Sequence, residues 1–368
     1  KKLLAYHSIE NIGIIGIGMG IGIIGMGLNN PLLIVLGFAG CLLHVLNHSL
    51  FKSLLFYGAG AIYMKTHTRN IEFLGGLIKK IPVTAVLFLI ASLAICGLPP
   101  FNGFISEFII YKGLIGGLGT ETIWIKVIML LSMISLVVIG GLAVFCFTKA
   151  YGVAFLGSSR KTDISEITEI KWYSMIPLFI IAIIITFIGL FPQLAIQPVN
   201  FVVNNLYLNI KGNTDVMVAV PMIQKIGIAG AVFIGIVLLM MLLKKIITWK
   251  KPVEYADTWG CAYSGTIKKG QYTATSYVEN FTDIAQPLLN IKTKFRPLES
   301  NDIFPKQRGF ETESEDMMEK KVYGRSIKFL NRTLSRLAVI QTGNTQHYIL
   351  YAFVMILLLL ILTVLNLI

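Results

Sequence analysis

Apolar residues run along this chain in long blocks separated by short charged segments. Blocks at residues 12–28, 31–64, 123–147, 173–190, 222–243 and 348–368 are each long enough to cross a lipid hydrocarbon core, which takes roughly 20 helical residues at 1.5 Å rise. A further block, 82–117, is too long for one straight crossing and contains Gly97-Leu98-Pro99-Pro100-Phe101-Asn102-Gly103. Pro99 and Pro100 remove helical hydrogen bonds and Gly97 and Gly103 loosen the backbone, so a helix is predicted to break here. With 82–117 as one broken crossing, the basic segments at Lys1-Lys2, 65–81, 149–172 and 244–251 all fall on one side of the membrane. The positive-inside tendency makes that side cytoplasmic. The pattern therefore predicts an all-α polytopic membrane protein, a helix bundle with one broken transmembrane helix.

Residues 192–221 read as a polar connection, and 244–347 as a long hydrophilic stretch. Within the latter, Tyr323, Ile327, Leu330, Leu334 and Leu337 recur at helical spacing, and Lys321, Arg325, Lys328, Arg332 and Arg336 form a second stripe on the opposite face. An amphipathic helix at about 317–341 is expected to lie along the membrane surface or a neighbouring subunit. The acidic flank 311–319 suits the positive end of its dipole. The boundaries expected are a membrane core at 1–191, an extra transmembrane helix within 192–247, a hydrophilic cytoplasmic segment at 248–347 and a C-terminal transmembrane helix at 348–368.

Composition strengthens the membrane reading. Hydrophobic residues make up 55% of the 368 and charged residues only 14%, against about 25% charged in a soluble domain. The net charge of +13 resides mainly in loops and tail, as membrane orientation requires, and the basic face at 321–336 is tethered between membrane spans, so no nucleic-acid partner is expected. Cys41, Cys96, Cys146 and Cys261 lie far apart without a CxxC and read as small hydrophobes, neither cluster ligands nor disulfide partners. Gly20-Ile21-Gly22-Ile23-Ile24-Gly25 matches G-x-G-x-x-G by letter, but another apolar span follows where a βαβ unit and an acidic residue are needed. Its glycines fit close helix packing, and no cofactor is expected. The chain opens on Lys1 without Met or a signal-peptide pattern, so a preceding part of the protein is expected.

Candidate chemistry sits inside the apolar blocks. His44, His48 and Lys52 occur at four-residue spacing; on a helix they stay within roughly 80° of one another and rise about 12 Å. A central Lys costs at least ~2.5–3.5 kcal/mol to insert, so such groups normally face a bundle interior or wet cavity and mark an ion path. The alternatives are a structural histidine pair or a metal site, for which no third ligand lies at a recognised spacing. Glu107, just past the break, is the second candidate, because freed backbone groups and a cavity can solvate a carboxylate. The alternative there is an interfacial Glu beside a snorkelling Lys112.

Three motifs carry a family resemblance. Lys1-Lys2-Leu3-Leu4-Ala5-Tyr6-His7-Ser8-Ile9-Glu10-Asn11-Ile12-Gly13, the His44–Lys52 block continuing through Ser53-Leu54-Leu55-Phe56-Tyr57-Gly58-Ala59-Gly60, and Gly97 through Glu107 resemble the antiporter-like proton-translocating subunits of complex I, the multisubunit sodium/proton antiporters and the membrane-bound hydrogenases. The resemblance runs to about residue 190 and corresponds to the second half of that family's membrane core. His7 and Glu10, with Asp257-Thr258-Trp259-Gly260-Cys261-Ala262-Tyr263 and Gln271-Tyr272-Thr273-Ala274-Thr275-Ser276 in the tail, look most like the branch of hydrogenase-4 component B and formate hydrogenlyase subunit 3. Ala262 departs from that branch, which carries Gly there.

The resemblance implies a proton relay from Lys1 through His44 and His48 to Lys52 and Glu107, with His7, Glu10 and Lys112 as accessory groups. It implies other membrane subunits and a soluble nickel–iron hydrogenase module as partners in a prokaryotic cytoplasmic membrane, with redox chemistry confined to those partners. The rival readings are a pumping subunit of complex I or of a sodium/proton antiporter, and a non-conducting membrane anchor.

Overall fold

The computed structural model describes residues 2–160, 164–206, 220–252, 270–285, 290–295, 310–315, 323–337, 343 and 345–365. They divide into two compact units, Lys1–Val278 and Glu279–Ile368. The first contains α1 (Lys2–Gly27), α2 (Pro31–Thr66), α3 (Pro82–Ile95), α4 (Asn102–Gly117), α5 (Ile123–Phe155), α6 (Trp172–Leu190), α7 (Pro192–Leu206) and α8 (Val220–Thr248). α9 (Ala274–Ala285) begins in this unit.

α1 and α2 form a tight hairpin. Asn30 caps α2, its side chain accepting from the Leu32 and Leu33 amides at 3.1 and 3.3 Å, and Pro31 takes the first helical position. The two backbones meet at glycine: a Cβ on Gly37 would lie 2.3 Å from the Gly22 amide nitrogen, so any larger residue would part the helices. α2 runs 36 residues to His67, which closes it in the left-handed conformation at φ 53°. At 1.5 Å per residue α2 is about 54 Å long and projects well beyond a hydrocarbon core of about 30 Å.

The expected break falls where Pro99 and Pro100 demanded it. α3 has 14 residues and α4 has 16, about 21 and 24 Å, so neither half crosses a bilayer alone. Gly97 adopts φ +61°, the left-handed region in which glycine carries no Cβ penalty. Glycines hold the break between neighbours: a Cβ on Gly189 of α6 would lie 1.8 Å from the Pro100 carbonyl oxygen, and one on Gly230 of α8 would lie 2.3 Å from Pro100 Cβ. At the other end of α3, Glu169 caps the helix, accepting from the Val83 amide at 2.6 Å, the Thr84 amide at 3.1 Å and Thr84 Oγ1 at 2.7 Å.

Residues 192–206 are a helix rather than the polar connection expected from the sequence. Ile196 and Val203 of α7 are buried with Val35, Leu36, Ala39 and Leu43 of α2 and Ile105 and Ile109 of α4, and this burial decides the conformation. Among the described residues five helices, Lys2–Gly27, Pro31–Thr66, Ile123–Phe155, Trp172–Leu190 and Ile223–Thr248, are long and apolar enough to cross a membrane. The protein is membrane-embedded and multi-pass.

The second unit holds two strands, β1 (Asn290–Phe295) and β2 (Phe310–Glu315), then α10 (Gly324–Leu337) and α11 (Thr345–Val364). The strands pair antiparallel, with Lys292 opposite Glu313 and Lys294 opposite Glu311. This ribbon is an addition to the all-helical expectation, and its second strand falls in the expected acidic flank of the lateral helix. α10 lies within the range expected for that helix, and Ile327, Leu330 and Leu334 leave an apolar stripe exposed along it.

Candidate functional site

A band of buried and half-buried polar side chains lies on α1, α2 and the start of α4, beside the break. α2 supplies His44, Asn47, His48 and Lys52; α1 supplies His7, Glu10 and Asn11; α4 supplies Asn102, Ser106 and Glu107. His44, Asn47, Asn102 and Ser106 are wholly enclosed, Asn11 nearly so, and Lys52 is 6% exposed. Unpaired polar groups at such depth cost several kcal/mol, so the partners they find determine the site.

His44 joins three helices. Its Nδ1 lies 2.9 Å from Ser106 Oγ, and its Nε2 lies 3.2 Å from Asn11 Oδ1. Asn11 is oriented by its own Nδ2, which donates to the His7 carbonyl at 2.8 Å. Asn47 bridges to the break, its Nδ2 donating to the Asn102 carbonyl at 2.8 Å and to Ser106 Oγ at 3.0 Å, while its Oδ1 accepts from Asn102 Nδ2 at 3.1 Å. Ser106 Oγ also lies 3.0 Å from the Gly103 carbonyl, as its donor. Backbone carbonyls in the first turn after the break are thus bound by buried side chains, as apolar surroundings require.

Lys52 donates from Nζ to the Leu4 carbonyl of α1 and lies 5.8 Å from the Phe56 ring centroid. His7 Nδ1 faces the Glu10 carboxylate on α1, and the His7 ring stands 4.7 Å from Phe147 of α5. Glu107 is half-buried, and its carboxylate rests on Gly97: a Cβ there would lie 2.5 Å from Oε2 and 2.8 Å from Oε1. The helix break therefore also makes room for the carboxylate.

The sequence-predicted residues divide accordingly. His44, Lys52 and Glu107 lie within this band, and Gly97, Pro99, Pro100 and Gly103 form the break beside it. His48 is half-buried and meets Phe51 edge-on at 5.5 Å, and its Nδ1 has no hydrogen-bond partner among the described residues. Lys112 is half-buried five residues past Glu107, about 140° round the helix. Lys1 lies outside the described residues. Among the described residues no direct hydrogen bond links His44 to His48, His48 to Lys52, or Lys52 to Glu107, and no three His, Cys, Asp or Glu side chains converge as a metal site. Asn11, Asn47, Asn102 and Ser106 escaped the sequence reading, although Asn47 sits between the two histidines and Ser106 directly precedes Glu107.

Comparison with known proteins agrees with this architecture. Residues 1–135 match the family model described as NADH:quinone oxidoreductase/Mrp antiporter, TM, and every candidate group named above except Phe147 falls within that segment. Over that segment the chain is similar to the membrane-spanning part of antiporter-like proteins. More particularly, the chain is similar to two proteins of Escherichia coli (strain K12). It is 42% identical over 190 residues to hydrogenase-4 component B, covering 52% of this chain and 28% of that protein. It is 45% identical over 168 residues to formate hydrogenlyase subunit 3, covering 46% of this chain and 28% of that protein. The matched part thus spans little over a quarter of those relatives' length. The solved structure of the membrane-bound sulfane sulfur reductase, an archaeal respiratory membrane complex, shares the fold over 98% of this chain and 52% of the solved one, with TM-score 0.58 at 20% identity.

Proposed function

We propose that this protein is a proton-translocating membrane subunit of a membrane-bound nickel–iron hydrogenase or formate hydrogenlyase complex in a prokaryotic cytoplasmic membrane. The observation that supports the reading is the hydrogen-bonded cluster of buried Asn11, His44, Ser106, Asn47 and Asn102, with ionisable Lys52 and Glu107 on the same helices, in a bundle that is otherwise apolar. A scaffold needs no such band, and apolar residues of similar volume would hold the helices at lower cost. Protons move near mid-membrane from Lys1 through His44 and His48 to Lys52 and then Glu107, crossing the gaps between these groups by way of water. Asn11, Asn47, Asn102 and Ser106 hold His44 and the broken backbone in register, so the relay changes charge without rebuilding the bundle.

Residues 1–191 carry the second half of the translocating core, and the later helices anchor it laterally against neighbouring membrane subunits. Electrons are handled by a soluble redox module, and coupling to it is conformational or electrostatic. Similarity to two subunits of hydrogen-metabolising systems favours the hydrogenase branch over complex I and the sodium/proton antiporters. Purifying the native complex through this subunit in mild detergent tests the assignment: a co-purifying nickel–iron hydrogenase module is expected. A flavin-and-quinone module, or small membrane partners alone, would overturn it.

A further inference from the structure

Hydrogen-bond capacity around His44 determines which of its nitrogens exchanges a proton. Asn11 Nδ2 donates to the His7 carbonyl, which can only accept, and this fixes the amide so that Oδ1 faces His44 Nε2. Oδ1 has no proton to give, so Nε2 carries the hydrogen in either charge state. The same reasoning fixes Asn47: its Nδ2 faces the Asn102 carbonyl and therefore also donates to Ser106 Oγ, taking one of that oxygen's two lone pairs.

One lone pair and one proton then remain on Ser106, with two neighbours to meet. His44 Nδ1 lies at 2.9 Å and the Gly103 carbonyl oxygen at 3.0 Å. When His44 is neutral, the hydroxyl donates to Nδ1. When His44 carries a second proton, Nδ1–H donates to the free lone pair and the hydroxyl turns to Gly103. One rotation about the Cβ–Oγ bond gives His44 Nδ1 and Ser106 Oγ a partner in both states.

We propose that Ser106 is a hydroxyl rotor that positions the proton on His44, confining proton exchange to Nδ1 on the face toward α4. On loading, an O–H bond of a hydronium in the relay breaks as Nδ1–H forms; on unloading, Nδ1–H breaks and the proton passes to a water of the relay, and nothing is oxidised or reduced. This rests on the relay of the proposed function, and it makes Ser106 a positioning residue for that relay.

The test uses the whole complex in inverted membrane vesicles. Ser106→Ala is expected to lower proton flux by about tenfold or more at unchanged assembly, the factor expected from losing a hydrogen bond to a charged group. Ser106→Thr, which keeps the hydroxyl, is expected to restore flux to within about twofold. Nitrogen NMR of labelled wild-type complex should find neutral His44 protonated at Nε2, a readout that needs no variant to fold and no flux to be measured. Wild-type flux in Ser106→Ala, no rescue by Thr, or a neutral His44 protonated at Nδ1 would each overturn the rotor. Unimpaired flux in Glu107→Gln would instead overturn the relay on which it rests.

Discussion

Gly97 has two structural duties, and replacing it with Ala separates them. The residue holds φ +61°, a conformation that costs an L-residue about 1–2 kcal/mol. An added Cβ would lie 2.5 Å from Glu107 Oε2, whereas ordinary contact begins at 3.4 Å, so the carboxylate must retreat by about 0.9 Å. A misplacement of about 1 Å can cost roughly 10²-fold in a step that depends on alignment. Proton flux through Gly97→Ala complexes should therefore fall by about 10- to 100-fold, a larger effect than a backbone penalty of ~1–2 kcal/mol spread over the fold produces. Gly76→Ala is the control. It has φ +66° and an added Cβ 3.0 Å from the Gly157 carbonyl oxygen, so it imposes similar backbone strain with no carboxylate among the nearest atoms. Flux is measured in inverted vesicles and normalised to assembled complex, with thermal stability followed in detergent. Equal stability loss in both variants with equal flux would refute the seat for Glu107.

Two further outcomes follow from the packing of the break. Asn47→Leu should destabilise the subunit by ~1–3 kcal/mol, because the Asn102 carbonyl, Asn102 Nδ2 and Ser106 each lose a partner at full burial; a depressed unfolding midpoint in detergent checks it, and an unchanged midpoint contradicts it. Glu169→Gln removes charge from the α3 cap while retaining one acceptor oxygen, so a loss of about 0.5–1 kcal/mol is expected with flux preserved; strongly reduced flux would place Glu169 in the relay.

The parts of this protein that could be read from its sequence are those in which a local rule decides the outcome. Pro31 after Asn30 marks the start of α2, and Gly97-Leu98-Pro99-Pro100 forces the break whatever surrounds it. Ionisable side chains in apolar runs declare themselves by cost alone, which is why His44, Lys52 and Glu107 were visible. The asparagines were not, because a neutral amide in an apolar run is ordinary until its partner on another helix is known: Asn11 matters through His44, 33 residues away, and Asn47 through Asn102, 55 away. Lys52 finds a backbone carbonyl, which no pattern of side chains can announce. α7 was misread because Gln193, Gln197, Asn200, Asn204 and Asn205 make the segment look polar, while Ile196, Val199 and Val203 keep an apolar face at helical spacing. The ribbon of β1 and β2 lies in a stretch rich in charge, where opposite charges across the strands, rather than apolar alternation, accompany the pairing.

Passage of protons through Glu107 is tested by comparing proton uptake with electron transfer in the same vesicles carrying Glu107→Gln. The substitution keeps shape and removes the proton site. Uptake is expected to be abolished while the complex assembles fully. Undiminished uptake by a fully assembled Glu107→Gln complex would contradict it.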